Sequence, residues 1–335
     1  MSFSNLSRRA LLAAGLVLAA CGPVLAQEQK LKLVVGYQDQ TLPTAVAASK
    51  VLDGTPYEVE WVTLTGPAAQ LAALYSKAID VGHMGDTSLI IEQGKAKSEW
   101  TPQTAPLQIV AGWRSTDLKY PPIVTVARAD SGIATLQDLK GRTVANNFGG
   151  YNYLHYVLTL LKAGLTENDI QSVRLADQST SSATFNAGKV EAFSGGTIGV
   201  AEAIESGKAR ILVTSDELDI PALGVFTART DVLKDPRKKA AIADFLSRLR
   251  DYWAWYPSNR AAIEALYVEK LKQTPDRARI VTQFQQARFQ PLDEALVKRE
   301  QRIADVLFEA GVIPRKIDVD LEFSRDFNAV TAPRD

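Results

Sequence analysis

Catalytic raw material is scarce in this chain. Its 335 residues hold one cysteine and two histidines, His83 and His155. A single cysteine excludes an internal disulfide and every Cys-X-X-Cys arrangement. No HExxH, P-loop or GxSxG pattern occurs. His155 lies in an apolar helical run and reads as a packed core residue. His83, between a strand and a turn, could line a cleft. Neither has a cysteine or a second histidine nearby, so no metal is expected. Charge of one sign is missing as well: 38 Lys and Arg balance 38 Asp and Glu, with no basic block. That argues against a nucleic-acid partner. The carboxylates are scattered, and no spacing singles out an acid/base pair. These absences favour a binding protein over an enzyme, without a cofactor.

The only long apolar run is at the start. "SRRALLAAGLVLAAC" has Arg8 and Arg9 ahead of an apolar stretch from Ala10 to Ala20. It is too short to span a bilayer permanently and reads as an export signal, residues 1–26. "SRRALL" is similar to a twin-arginine signal, although Ala13 follows the two leucines. "LAAC" is similar to a lipobox, which would acylate Cys21 and tether the protein to the membrane. Cleavage after "VLA" would leave Gln27 first and the protein free. Either way the mature chain is exported. Removing Arg8 and Arg9 leaves a net charge of −2, too little to steer an anion over long range. Local donors must hold any anionic ligand.

Beyond the export segment the chain alternates regularly. "LKLVVGYQ", "YEVEWVTL" and "DVGHMGD" read as strands, with "PTAVAASKVLDG", "GPAAQLAALYSKAI" and "TSLIIEQGKA" as helices. Gly54 is expected to close the first helix. The grammar restarts with "PIVTVARAD", "RTVANN", "YNYLHYVLTLLKAGL", "SVRLAD", "SSATFNAGKV", "EAFSGG" and "RILVT". Two βα sets predict two α/β lobes with mostly parallel sheets. From Pro236 the pattern is almost wholly helical. Pro257 and Ser258 divide it into two helices, with Ser258 as N-cap, and "DEALVKREQRIADVLFEAGVI" forms another that Gly311 closes. These helices are expected to pack back on the first lobe.

Three helix starts carry the candidate chemistry. "NNFGGYN" puts Gly149 and Gly150 before a helix. "LTGPAAQL" puts Thr65 and Gly66 at another, and "GDTSLI" puts Gly85, Asp86 and Thr87 at a third. A helix start exposes unpaired N–H groups and about half a positive charge, and glycine lets a ligand approach. All three follow strand C-terminal ends, the crevice where open α/β sheets bind ligands. The plainer reading of the glycines is a permissive strand-to-helix turn. The plainer role of the Asp86 carboxylate is to cap its own helix.

At these residues the chain resembles the periplasmic substrate-binding proteins of aliphatic-sulfonate, taurine and nitrate ABC importers, the sulfonate branch above all. The carrying segments are "VGYQ", "VEWVTLTGPAAQLAAL", "IDVGHMGDTS", "DLKGRTVA", "LKAGLTENDI" and "FNAGKVEAF". The resemblance implies the two-lobed type II periplasmic-binding-protein fold, with two hinge crossings near Tyr120 and Leu223. Lobe 1 would be residues 31–119 with 223–335, and lobe 2 residues 120–222. Gln38, Thr65, Gly66, Gly85, Asp86, Thr87, Gly149 and Gly150 match the family's ligand-facing positions. Tyr151 and Asn152 could replace a serine hydroxyl that the family carries where Gly150 stands. Gly196, Thr197 and Ile198 stand where the family commonly has a tryptophan shortly before Asp-Pro. That implies a bulkier ligand, or a gap filled by Trp113.

The resemblance further implies a monomer, periplasmic, with an inner-membrane permease and its ATPase as partners. Its ligand would be a small anion: an organosulfonate, or alternatively taurine, nitrate, a sulfate ester or a pyrimidine thiamine precursor. An enzyme alternative is set by pyrimidine-forming thiamine-pathway proteins of similar fold. Those depend on cysteines and histidines, and the sole cysteine here lies in the signal.

Overall fold

The computed structural model describes residues 30–116, 119 and 121–334. The export segment, Cys21 and Tyr120 lie outside the described residues. The first set of elements is β1 (Leu31–Tyr37), α1 (Thr41–Ser49), β2 (Tyr57–Thr63), α2 (Pro67–Tyr75), β3 (Val81–Gly85), α3 (Thr87–Lys95) and β4 (Leu107–Ser115). The second is β5 (Ile123–Arg128), β6 (Thr143–Asn147), α4 (Gly150–Ala163), β7 (Gln171–Leu175), α5 (Gln178–Asn186), β8 (Ala192–Gly196), α6 (Ala201–Glu205) and β9 (Ala209–Thr214). The chain then returns through β10 (Gly224–Arg229), α7 (Thr230–Lys234), α8 (Pro236–Leu271), α9 (Pro275–Phe284), β11 (Ala287–Gln290), α10 (Glu294–Glu309) and α11 (Asn328–Thr331).

These strands build two sheets, ordered β11-β4-β10-β3-β1-β2 and β7-β6-β8-β5-β9. The chain therefore passes from one sheet to the other between β4 and β5, and back between β9 and β10. The sheets are mixed. Among the described strand pairings four are parallel and five antiparallel. The alternating segments supply the parallel pairs β1–β2, β1–β3, β6–β7 and β6–β8. Every antiparallel pair involves a strand that arrives after a change of sheet, β5 or β10, or the late strand β11.

Alternation in β1 sends Leu33, Val35 and Tyr37 to one face, where α1 and α8 cover them. Asp80 ties this layer together. It accepts from Val34 N at 2.9 Å and Lys238 Nζ at 2.5 Å, with Arg229 at 3.7 Å. The opposite face carries Met84 and Ile109, packed with Leu74, Leu89 and Leu307 from α2, α3 and α10. That core continues into α4 through Leu154, Tyr156 and Leu160. The second sheet has its own cluster around Val124, Val126, Phe185 and Phe193. Among the described residues, no helix is long and apolar enough to cross a membrane.

Two element boundaries differ from expectation. α1 stops before Gly54, because Lys50 takes the left-handed cap conformation at φ 59°. α8 runs through Pro257 as one helix of 36 residues, so Ser258 is not an N-cap. Tyr252, Trp253 and Tyr256 before the proline, and Ile263 and Tyr267 after it, are all buried. Burying each contributes roughly 2–3 kcal/mol, which together outweighs the ~3 kcal/mol an interior proline costs.

Candidate ligand-binding cleft

The three helix starts meet. Gly66 caps α2 at φ 84°, ψ 156°, and Gly149 caps α4 at φ 87°, ψ 147°. This backbone region is essentially reserved to glycine. The same cap geometry thus opens one helix on each sheet, and the two face each other. A Cβ added to Gly149 would stand 3.1 Å from Pro67 Cγ, and one on Gly66 would stand 3.3 Å from Ala176 O. A Cβ on Gly85 would collide with the Tyr151 ring, and one on Gly150 would lie 3.0 Å from Ser88 Oγ. The two sheets' elements touch at Gly66, Gly85, Gly149 and Gly150.

The remaining predicted residues divide by what their side chains do. Gln38 follows β1 and its Nε2 reaches His83 O at 3.4 Å. Thr65 is exposed, its hydroxyl 3.4 Å from Gln38 O. Asp86 is buried and serves structure: its carboxylate accepts from Thr87 N and Leu223 N, each at 2.7 Å, and from the Thr87 hydroxyl at 3.1 Å. The Thr197 hydroxyl donates to Pro121 O in the first crossing. Asn152 donates to Asn147 at 3.2 Å and to Gln178 at 3.0 Å, and Gln178 lies 3.4 Å from Gly196 O. Asp86, Thr87 and Thr197 therefore hold the frame with their side chains. What they leave for a ligand is backbone.

Two features of the cleft, Ser88 and Arg277, do not show in the sequence pattern, and a third, His83, is in part legible there. Ser88 comes directly after Thr87, and its buried hydroxyl has no hydrogen-bond partner among the described residues. Arg277 on α9 reaches across to donate to Ile198 O. His83 stacks on Tyr37 at 4.4 Å and on Trp113 at 5.6 Å between ring centroids. Burial holds the His83 imidazole neutral, its pKa lowered to about 3. Trp113 also packs on Trp253, within the first sheet's core. His155 is the expected core residue, fully buried with Nδ1 3.1 Å from Ser194 Oγ. A cavity of about 1090 Å³ opens beside the convergence, between α5, α6 and the start of α9, and none of the twelve predicted ligand residues lines it. Among the described residues, no cluster of His, Cys, Asp and Glu is arranged to hold a metal ion.

Residues 58–258, more than half of the chain, match the family described as NMT1/THI5 like. The chain belongs to that family. A protein of Escherichia coli (strain K12), named as an aliphatic sulfonates-binding protein, is 26% identical over 319 residues, 91% of this chain and 92% of its own length. Two solved structures share the fold. The periplasmic aliphatic sulphonate binding protein SsuA from E. coli has a TM-score of 0.71 at 22% identity, covering 88% of this chain and 92% of its own. The alkanesulfonate-binding protein SsuA from Xanthomonas axonopodis pv. citri, bound to MOPS, has a TM-score of 0.73 at 20% identity, covering 89% and 99%. The fold is thus the periplasmic-binding-protein fold of two α/β lobes.

Proposed function

We propose that the chain is the extracytoplasmic binding component of an ABC importer and captures an organosulfonate between its two halves. The observation that carries this reading is the pair of glycine-capped helix starts, α2 and α4, facing each other across the sheets with α3 beside them. A sulfonate has three acceptor oxygens and one negative charge. Unpaired N–H groups at opposed helix starts suit it without a buried cation. The sulfonate-binding relatives support the ligand class. Catalysis has little to work with: both histidines are buried and held neutral.

On this reading the halves are residues 31–119 with 223–335 and residues 120–222, hinged at the two crossings. Gln38, Thr65, Gly66, Gly85, Asp86, Thr87, Gly149, Gly150, Tyr151, Asn152, Gly196 and Thr197 form the ligand shell, and Ser88 joins them. The protein acts as a monomer outside the cytoplasmic membrane, tethered through Cys21 or free from Gln27, and delivers to a permease and its ATPase. A thermal-shift screen of alkanesulfonates, taurine, nitrate and sulfate esters tests the ligand. Sulfonate at a hundredfold its Kd should add roughly 2.7 kcal/mol of stability, a rise of several degrees in Tm for a chain this long. A screen in which no sulfonate moves Tm while another class does would reassign the ligand.

A further inference from the structure

Three carboxyl groups are buried together behind the start of α3. Asp86 comes from the α3 cap, Glu300 from α10 and Glu322 from the turn Val319–Glu322, and they are 2%, 1% and 1% exposed. The three elements pack on one another. Buried carboxylates normally meet donors. Asp86 does, through Thr87 N and Leu223 N. Among the described residues, both oxygens of Glu300 and one of Glu322 have none. Glu300, on α10, packs against the helix whose cap carries Asp86, and the Asp86 charge bears on it. Neighbouring buried carboxyls that lack donors do not all ionise, so the cluster holds protons. Burial raises the pKa of all three groups, and the Asp86 charge raises Glu300 and Glu322 further.

Among the described residues, the other charged or titratable groups around the cluster do not neutralise it. Arg299 on α10 is half-buried and pairs with Asp219 at 3.0 Å, and Asp318 adds like charge to Glu322. On α3, Glu92 accepts from Tyr75 and Lys95 lies over the Phe148 ring. β4 has one charged side chain, Arg114, which pairs with Asp216. From α4, Tyr151 faces Asp86, and burial together with that charge pushes its phenol up to about 12. The cluster is also tied to the hinge: Asp86 exchanges both backbone-side bonds with Leu223, at 2.7 Å and 3.0 Å, where the second crossing ends.

We propose that Asp86, Glu300 and Glu322 form a proton store that lets an anion approach the start of α3, so that capture is linked to proton retention and weakens as pH rises. This rests on the reading of the cleft as an anion trap. An ionised Asp86, adjacent to Gly85, repels a sulfonate, and a proton held in the cluster removes part of that charge. The arriving anion in turn raises the cluster's proton affinity, because linkage between two ligands is reciprocal.

An alkanesulfonate stays ionised from pH 5 to 9, so any pH dependence of its binding belongs to the protein. Titration calorimetry of ethanesulfonate between pH 5.5 and 8.5 compares wild type with Glu300→Gln. Glutamine in that place cannot ionise. The wild-type Kd should rise roughly threefold or more across this range, with a binding heat that depends on the buffer's ionisation heat. The Glu300→Gln profile should be flat. A flat wild type, or the same slope in both proteins, overturns the proposal. If Glu300→Gln does not fold, Glu322→Gln carries the same comparison. If ethanesulfonate binds at no pH, the sulfonate reading falls, and urea unfolding without ligand judges the proton store. The wild type should lose stability relative to Glu300→Gln as pH rises from 5 to 8.5, because the folded cluster holds protons that the unfolded chain releases. Parallel curves overturn the proposal.

Discussion

Gly85 lets the Tyr151 ring of α4 pack against the end of β3. Its backbone is not left-handed, so alanine fits the strand. The added methyl, however, would collide with the Tyr151 ring of the opposite half. Gly85→Ala should therefore fold, at a cost of roughly 1–3 kcal/mol from overpacking, and hold the halves apart. Small-angle scattering at saturating sulfonate should show a larger radius of gyration than wild type, and calorimetry a Kd raised about tenfold or more. Unchanged affinity would mean that the Tyr151 contact is not part of capture. Gly150→Ala is a different case, since φ there is +67° and strain of about 1–2 kcal/mol adds to the contact with Ser88. Asp80 has a purely structural part. Asp80→Ala leaves Val34 N without its acceptor and takes the carboxylate from Lys238, which keeps only Lys32 O, while Arg229 retains Asp231 at 2.9 Å. Urea unfolding should record a loss of roughly 3 kcal/mol, with sulfonate affinity retained.

Proline inside α8 gives the opposite expectation. Pro257 brings no N–H, and Asn259 Nδ2 donates to Trp255 O at 2.9 Å beside it. Pro257→Ala restores a donor and removes the ring, and should raise stability by up to about 3 kcal/mol, seen as a higher urea midpoint at unchanged slope. The same residue shows why the sequence reads as two helices here: a local breaker outweighs, in a short window, the aromatic residues that bury both segments. The helix starts of the cleft are legible because glycine, proline and hydroxyl residues stand directly after apolar strands. So is the Asp86 cap on its own helix, which accepts from Thr87 N, whereas the Asp86 bond to Leu223 and the Thr197 bond to Pro121 are not, because the partners lie 137 and 76 positions away. α9 escapes the pattern despite Thr274 and Pro275, a cap and a first helical residue that the structure uses as such. β11 has only four residues, too few to show a period. Glu300 is legible in principle. It lies four residues after Leu296 and three before Ile303, so the apolar stripe of α10 places it on the buried face.

The two histidines sample the interiors of both halves. His83 lies in the first sheet, and His155, on α4, packs against the second. Burial lowers both to about 3. Folded values below the ordinary 6.5 mean that the unfolded chain binds these protons more readily. The stability the rings contribute is complete above about pH 6.5 and is lost as pH falls toward 3, on the order of 3 kcal/mol each by pH 4. The buried carboxyls act in the other direction. Their raised values stabilise the fold least at high pH, as protons held by Glu300 and Glu322 are drawn off. The molecule should thus be squeezed from both sides, with greatest stability near mildly acidic pH. Because the chain has only two histidines, proton NMR can follow each imidazole separately. Neither resonance should titrate between pH 8 and 5. His83→Phe, which keeps a ring in the stack on Tyr37 and Trp113, should move the acid-unfolding midpoint to lower pH. A histidine titrating near 6.5 would mean that water reaches that core, and the acid limb of the stability curve would then have to come from carboxylates paired at the surface.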